Sequence, residues 1–205
     1  MRSWLFTPAT GGERLTKAFH SAADAVIVDL EDAVALSEKD AARSAAATCL
    51  TGRDWKRPAV FLRINEQGSP WYQADLETAV RCGYDGVMLP KSNEAANIQR
   101  AEEVLRSLGT APDRFELLPL IETAAGVVHA GEIAACGAFV RRLAFGSIDF
   151  LLDLGGRSTG GGEELLYAGA RLALASGAAG KEGPVDAVFP DFRDDEGLRR
   201  DAVLA

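Results

Sequence analysis

Two acidic residues, Glu122 and Asp149, each end a hydrophobic run and are candidates for a metal site. Glu122 closes the run LLPLIE, Asp149 closes RLAFGSID, and about one strand-plus-helix repeat separates them. A carboxylate at the tip of a buried strand is costly unless it is paired or bound to a cation, and the tips of neighbouring strands converge. A third run, VFLRIN, brings Arg63 to the same rim. The sequence therefore predicts a two-carboxylate metal site with an arginine beside it.

The metal that these residue types favour is a hard divalent cation. Cys49, Cys82 and Cys136 are far apart and show no CxxC spacing, which indicates neither a zinc site nor a disulfide framework. His20 and His129 are the only histidines, and we interpret both as structural. Because the ligands are carboxylate oxygens, we expect Mg2+, with Mn2+ as the alternative, rather than zinc.

The elements that must position these residues alternate between strand and helix. Short, mostly continuous apolar runs, typical of strands buried on both faces, lie at residues 3–6, 25–30, 59–64, 85–90, 116–121, 142–145 and 186–189. Helical patterns lie between them, for example at 39–50, 74–83, 94–109 and 165–180. This alternation predicts parallel pairing with right-handed crossovers, in either an open doubly wound sheet or a (β/α)8 barrel.

The positions of the charged residues favour the barrel. The residues that follow the apolar cores of several strands are Asp29, Glu31, Asp32, Arg63, Lys91, Glu122 and Asp149. Catalytic groups spread over many strand ends are typical of a barrel, whereas an open sheet concentrates its ligand at one crevice. We therefore predict an α/β fold of the (β/α)8 TIM-barrel type. Because only seven strands are counted, we expect the last βα unit to be missing from this chain or to be supplied otherwise.

The composition indicates a single globular domain. The chain has 205 residues, 47% of them hydrophobic, and no composition break marks a second domain. Its 22 basic and 30 acidic residues give a net charge of -8, which argues against nucleic acid or an anionic membrane as the main partner. The sequence starts without the long apolar segment of a signal peptide and contains no membrane-spanning run, so we expect a cytoplasmic protein.

Long motifs follow one another over nearly the whole chain. They include ADAVIVDLEDAVA, LRIN, DGVMLPKS, LLPLIETAAGVVHAGEIA, LAFGSIDFLLDLG and PVDAVFPDFRDDEGLRRDA. In these motifs the sequence resembles the citrate lyase beta-subunit-like proteins of the Mg2+-dependent aldolase and lyase superfamily, which also contains malyl-CoA and citramalyl-CoA lyases. Those proteins continue through a further strand and a C-terminal helical segment. The resemblance therefore implies one barrel domain over residues 1–205 that is incomplete at its C-terminal end.

The resemblance implies an enzyme that cleaves or forms a carbon-carbon bond. By it, Glu122 and Asp149 match the metal ligands and Arg63 matches the substrate-activating arginine. We predict a lyase for a carboxylated 3-hydroxyacyl-CoA thioester of the malyl or citramalyl type, acting through a metal-bound 2-oxo acid or enolate. Its predicted partners are a 2-oxo acid, an acyl-CoA and further copies of itself. Two alternatives are an aldolase of free hydroxy-oxo acids and a citrate lyase beta-type subunit that is inactive without partner chains.

A turn before Asp149 is a candidate for substrate binding. The backbone amides of Gly146, Ser147 and Ile148 could bind the carboxylate of a 2-oxo acid, which would account for a glycine there. The alternative is that Gly146 only turns the chain at the end of a strand.

Five further charged residues have two interpretations each. Asp29, Glu31 and Asp32 of the DLED motif are expected to orient Arg63 or a metal-bound water, the alternative being ordinary solvation of a strand end. Arg14 and Lys17, in the first helical segment, resemble an early basic element of the family. They are candidates for contact with the phosphates of coenzyme A, the alternative being a solvated helix face.

Overall fold

The computed structural model describes residues 1–53, 58–159, 161–191 and 193–204. The strands in these ranges are β1 (Trp4–Pro8), β2 (Ala25–Asp29), β3 (Ala59–Arg63), β4 (Gly86–Leu89), β5 (Glu116–Ile121) and β6 (Ala144–Phe145). The helices are α1 (Glu13–Phe19), α2 (Lys39–Thr48), α3 (Tyr72–Arg81), α4 (Ala95–Ser107), α5 (Ala124–Ala135), α6 (Ser147–Asp153), α7 (Leu166–Ala178) and α8 (Asp195–Leu204). No helix in the described ranges is both long and apolar enough to cross a membrane.

The six strands form one parallel sheet in the order of the sequence, β1-β2-β3-β4-β5-β6. Helices connect consecutive strands up to β6, as parallel pairing requires. All strands therefore point the same way, and their carboxyl ends lie along one rim. This rim carries the residues that the sequence predicts for the site.

The strands are apolar throughout because both of their faces are buried. All five residues of β2 are buried. Val26 and Val28 belong to the main core under the helices, whereas Ile27 belongs to a second, inner cluster that also contains Phe61 and Met88. This alternation along a continuous apolar run distinguishes an inner face from an outer, helix-covered face, as in a barrel wall.

The sheet curls, because residues at its two edges meet on the inner face. The guanidinium of Arg142, just before β6, lies 5.6 Å from the ring centre of Trp4 in β1. Arg142 Nε also donates to Glu116 Oε1 at 2.8 Å, and both side chains are buried. The ion pair closes the amino-terminal end of the inner face, away from the rim. The described residues thus form a curled half-barrel of six strands.

The predicted seventh strand at 186–189 is wrong. Val185 makes one parallel bridge to β6, through backbone hydrogen bonds of 2.8 and 2.9 Å, and the pairing stops there. Pro184 and Pro190, which flank the segment, lack the N–H that a ladder needs, and within the described ranges the one bridge here is that of Val185. Val188 is accordingly 46% exposed. The parallel α/β architecture and the other six strands are confirmed.

Candidate active site

Arg63 lies at the end of β3, in register with Asp29 at the end of β2. Its Nε donates to Asp29 Oδ1 at 2.7 Å and its Nη2 donates to Asp29 Oδ2 at 2.6 Å, which makes a bidentate ion pair. Burial alone would lower the pKa of Arg63, but the bonds to Asp29 outweigh it and the pKa is raised. The guanidinium therefore stays charged in a largely buried position.

The third nitrogen of Arg63, Nη1, faces two more acids from the turn after β2. It lies 3.3 Å from Asp32 Oδ2 and 3.3 Å from Glu31 Oε2. The second contact is within ion-pair distance but lacks hydrogen-bond geometry, and Oε2 of Glu31 is buried without a hydrogen-bond partner among the described residues. Burial raises the pKa of Glu31 to about 8, although Arg63 opposes the shift. Since its contacts are the longest, Nη1 is the donor most easily turned toward a substrate.

Lys39, at the start of α2, supports this acidic turn from behind. Its Nζ donates to the carbonyl oxygens of Leu30 and Glu31, at 2.7 Å each. The lysine is only 6% exposed, and its Nζ lies 6.0 Å from the ring centre of Trp71. A buried lysine is rare unless its charge has partners, and here two carbonyls provide them. No role was predicted for Lys39 from the sequence, where its one signal is its place soon after the DLED motif.

Glu122 follows β5 directly and is 2% exposed. Its Oε1 accepts a hydrogen bond of 2.8 Å from the backbone N–H of Lys91, which follows β4. Burial raises the pKa of Glu122 to about 7; the Lys91 amide opposes the shift, the charge of Asp149 adds to it and Arg63 opposes it. A buried carboxylate beside a second carboxylate is the environment that a cation would stabilise.

Asp149 reaches this place from a helix, not from a strand tip. Because β6 ends at Phe145 and Asp149 lies in the first turn of α6, the predicted strand-end position is wrong. Gly146, at the start of this helix, approaches Glu122 closely. A Cβ on Gly146 would lie 2.6 Å from Glu122 Cβ and 2.8 Å from Glu122 Oε2, so only glycine fits. This close approach brings the start of α6 beside the glutamate.

The three amides before Asp149 do not share one role. The N–H of Gly146 donates to the carbonyl of Ile121 at 2.9 Å, so it is occupied within the protein. Ser147 and Ile148 open α6, where the first amides of a helix have no acceptor within the helix. Of the predicted carboxylate-binding amides, those of Ser147 and Ile148 remain candidates, while Gly146 is needed for the close approach.

The donors at this rim fit a hard divalent cation. Glu122 and Asp149 provide carboxylate oxygens, and Mg2+ is commonly held by one or two carboxylates together with water and substrate oxygens. Within the described ranges, no three or more His, Cys, Asp or Glu side chains form a metal-binding group. The two carboxylates, Glu122 and Asp149, suit an ion that is held by one or two carboxylates and takes its other ligands from water and substrate.

The predicted coenzyme A contacts lie apart from these residues. Arg14 and Lys17 are exposed on α1, and Lys17 Nζ lies 3.8 Å from Glu13 in an exposed pair. A cavity of about 460 Å³ between α1 and α2 is lined by neighbours such as Leu15 and Phe19, but by neither basic residue. The described contacts do not join this surface to Arg63 or to the carboxylates.

The histidines and cysteines take no part in the described contacts of the rim. His20 Nδ1 lies 2.8 Å from the carbonyl of Thr16, and His129 Nδ1 lies 2.9 Å from the carbonyl of Asn93. The three cysteines are free and partly buried. These contacts agree with the structural interpretation of both histidines and with reduced thiols.

Residues 2–205 match the HpcH/HpaI aldolase/citrate lyase family. The chain belongs to this family. The citrate lyase subunit beta of Leuconostoc mesenteroides subsp. cremoris is 32% identical, over 99% of this chain and 68% of its own length. The L-malyl-CoA/beta-methylmalyl-CoA lyase of Cereibacter sphaeroides is 33% identical, over 98% of this chain and 70% of its own length. Both relatives carry the names of lyases, which confirms the predicted family and enzyme class.

A solved structure supports the fold and the metal. The crystal structure of CitE from Mycobacterium tuberculosis, in complex with magnesium, acetoacetate and coenzyme A, has a TM-score of 0.79 and 35% identity. The match covers 97% of this chain and 69% of that chain. Magnesium in so similar a structure confirms the predicted cofactor for the family.

Proposed function

We propose that this protein is a Mg2+-dependent carbon-carbon lyase for a carboxylated 3-hydroxyacyl-CoA thioester of the malyl or citramalyl type. The observation that supports this most directly is the position of the buried Glu122 at the carboxyl end of one parallel sheet, with its Oε2 beside the start of α6, the helix that carries Asp149. The malyl-CoA lyase relative and the structure with magnesium, acetoacetate and coenzyme A support the substrate class. The products would be a 2-oxo acid and a shorter acyl-CoA.

In this proposal Glu122 and Asp149 hold the Mg2+ ion. The ion, when bound, supplies a Lewis acid for the oxygens of the 2-oxo acid. The amides of Ser147 and Ile148 orient the carboxylate of that acid at the start of α6. Asp29 and Lys39 fix the part of the rim that follows β2 and β3. Asp29 accepts hydrogen bonds from Arg63, and Lys39 donates to the acidic turn after β2.

The bond that breaks joins carbons 2 and 3 of the acyl chain. When the 3-hydroxyl loses its proton, carbon 3 becomes the carbonyl carbon of the 2-oxo acid. The electron pair of the broken bond passes to carbon 2 and the thioester oxygen as an enolate, which then takes up a proton. Arg63 offers a fixed positive charge to the oxygen where this negative charge develops, through the loosely held Nη1.

The substrate class is tested with the purified chain and Mg2+. We expect malyl-CoA or citramalyl-CoA to give equal amounts of 2-oxo acid and acyl-CoA, and Glu122→Gln to give neither. Turnover of free hydroxy-oxo acids but not of their thioesters would instead identify an aldolase of free acids. Measuring free thiol in parallel separates cleavage of the carbon-carbon bond from hydrolysis of the thioester.

A second candidate is a citrate lyase beta-type subunit that works only within a complex. The similarity to the citrate lyase subunit beta favours it. Such a subunit would bind Mg2+ at the same rim but would show no turnover as a single chain. Activity of the purified chain alone would reject this candidate.

We propose four further properties. Residues 1–205 belong to one domain of the (β/α)8 TIM-barrel type, of which the described strands are the first six; a single cooperative unfolding transition would support one domain. The protein acts in the cytoplasm as a homo-oligomer. Light scattering would measure the mass of this oligomer.

Arg14 and Lys17 contact coenzyme A phosphates, so replacing both by glutamine should raise KM for the thioester without changing Mg2+ affinity.

A further inference from the structure

Lys91 has a backbone conformation that residues other than glycine rarely adopt. Its φ is 49°, and it is the one non-glycine residue with positive φ in the described part of the chain. This left-handed region is sterically unfavourable for residues with a Cβ, and exceptions cluster at functional sites. The turn after β4 therefore holds Lys91 in a strained conformation, and a compensating contact is expected.

That contact is the hydrogen bond from the Lys91 N–H to Glu122 Oε1, at 2.8 Å. The next residue, Ser92, is fully buried and anchors the turn: its N–H donates to the carbonyl of Leu120 at 3.2 Å and its Oγ donates to the carbonyl of Leu89 at 2.9 Å. The turn is thus fixed to both β4 and β5. Its geometry aims one amide at one carboxylate oxygen.

The other oxygen of Glu122 lies on a different side. A Cβ built on Gly146 would come within 2.8 Å of Glu122 Oε2, so Oε2 faces the start of α6, the helix that carries Asp149. The Lys91 amide binds Oε1 of Glu122, so Oε2 points toward the helix that carries Asp149. A carboxylate fixed in this way is oriented before any ligand arrives.

The ion pair made by the Lys91 side chain does not account for the left-handed backbone conformation. Its Nζ pairs with Glu66 Oε2 at 3.0 Å, and both side chains are about half exposed, at 46% and 47%. Exposed ion pairs of this kind contribute little. The buried backbone contact with Glu122 is the stronger candidate for a functional role.

We propose that Lys91 is a positioning residue whose left-handed backbone orients Glu122 for cation binding. The inference rests on the proposed metal site and adds a residue to it. It predicts that tolerance of positive φ at position 91, not charge or side-chain length, determines Mg2+ affinity. Groups that orient a metal ligand typically change metal affinity about 10- to 100-fold when they are disturbed.

The test compares four variants that all lack the lysine charge: Lys91→Gly, Lys91→Asn, Lys91→Ala and Lys91→Val. Glycine and asparagine tolerate the left-handed region, alanine less so, and a β-branched valine least. By calorimetric titration with Mg2+, we expect glycine and asparagine to bind alike, alanine more weakly, and valine about 10- to 100-fold more weakly than glycine. Glu66→Gln, which removes only the exposed ion pair, should bind like the wild type.

A second measurement needs no metal. Hydrogen exchange at the amide of residue 91 should be slow in the glycine and asparagine variants and faster in the alanine variant, which keeps the test valid if the valine variant does not fold. Equal Mg2+ affinity and equal exchange in all folded variants would overturn the proposal. Failure of the wild type to bind Mg2+ would contradict the proposed metal site instead. The hydrogen-exchange rates of the variants would still report on the Lys91 contact with Glu122.

Discussion

Arg63 is the residue on which the proposed chemistry depends most closely, because its planar group grips both oxygens of Asp29 at 2.6 and 2.7 Å. Arg63→Lys keeps the charge but loses this fork. We expect turnover to fall about 100- to 1000-fold with little change in Mg2+ affinity, as when one oriented oxyanion donor is lost. Kinetics and calorimetry measure the two effects, with Arg81→Lys on the exposed face of α3 as control. Near-normal turnover in a well-folded Arg63→Lys variant would remove Arg63 from the mechanism.

Gly146 allows a second prediction at the residue scale. Its φ is -103°, which any residue can adopt, so the effect of Gly146→Ala is steric: the new Cβ would lie 2.6 Å from Glu122 Cβ. We expect lower stability and weaker Mg2+ binding, measured by urea unfolding and calorimetry. The matched control is Gly131→Ala in α5, where a Cβ meets open space. This control should be neutral or more stable by about 0.5–1 kcal/mol. Wild-type Mg2+ affinity in Gly146→Ala would show that the close approach is unimportant.

At the scale of elements, the sequence predicts best where the apolar signal is continuous. The buried runs of β2 and β5 predict the strands and the residues at their tips, so Asp29 and Glu122 are placed correctly. The strand-end position predicted for Asp149 is wrong, because GSID continues a hydrophobic run although the chain turns at Gly146 and forms a helix. The metal-ligand role of Asp149 stays a prediction. Periodicity cannot detect that a helix begins so soon after the strand. Nor can it detect the Lys91 amide, since a backbone hydrogen bond leaves no side-chain signature.

The turn after β2 provides a prediction at this scale. In Lys39→Met the side chain keeps similar length, but the carbonyls of Leu30 and Glu31 lose their 2.7 Å donors. Leaving buried carbonyls unpaired costs about 1–3 kcal/mol each, so we expect a clear loss of stability in denaturant unfolding. Lys17→Met, on the exposed face of α1, is the control and should change stability little. Equal stability of the two variants would show that Lys39 does not support the turn.

At the scale of the whole molecule, two buried carboxyls predict how stability depends on pH. The pKa of Glu31 is raised from 4.5 to about 8 and that of Glu122 from 4.5 to about 7. An acid whose pKa is higher in the folded state stabilises the fold when protonated. This contribution is complete below about pH 4.5 and is lost as the pH rises through 7 and 8.

We therefore expect the metal-free protein to lose stability between about pH 5 and about pH 8, by on the order of 2 kcal/mol or more. Urea unfolding in the presence of a chelator measures this loss. Glu122→Gln should reduce it, and Mg2+ should restore stability at the higher pH because the cation favours the ionised glutamate. Stability that stays level or rises over this range would contradict the assigned burial of the two acids.

Calorimetric titration of the folded protein with Mg2+ tests most directly whether Glu122 and Asp149 together form a Mg2+ site. The wild type and Glu132→Gln, an exposed acid of α5, should bind one ion with equal affinity. Glu122→Gln and Asp149→Asn should not bind it, although both should remain folded, because removing one of two neighbouring acids relieves repulsion. Binding of Mg2+ to both site variants with wild-type affinity would show that these two carboxylates do not hold the ion.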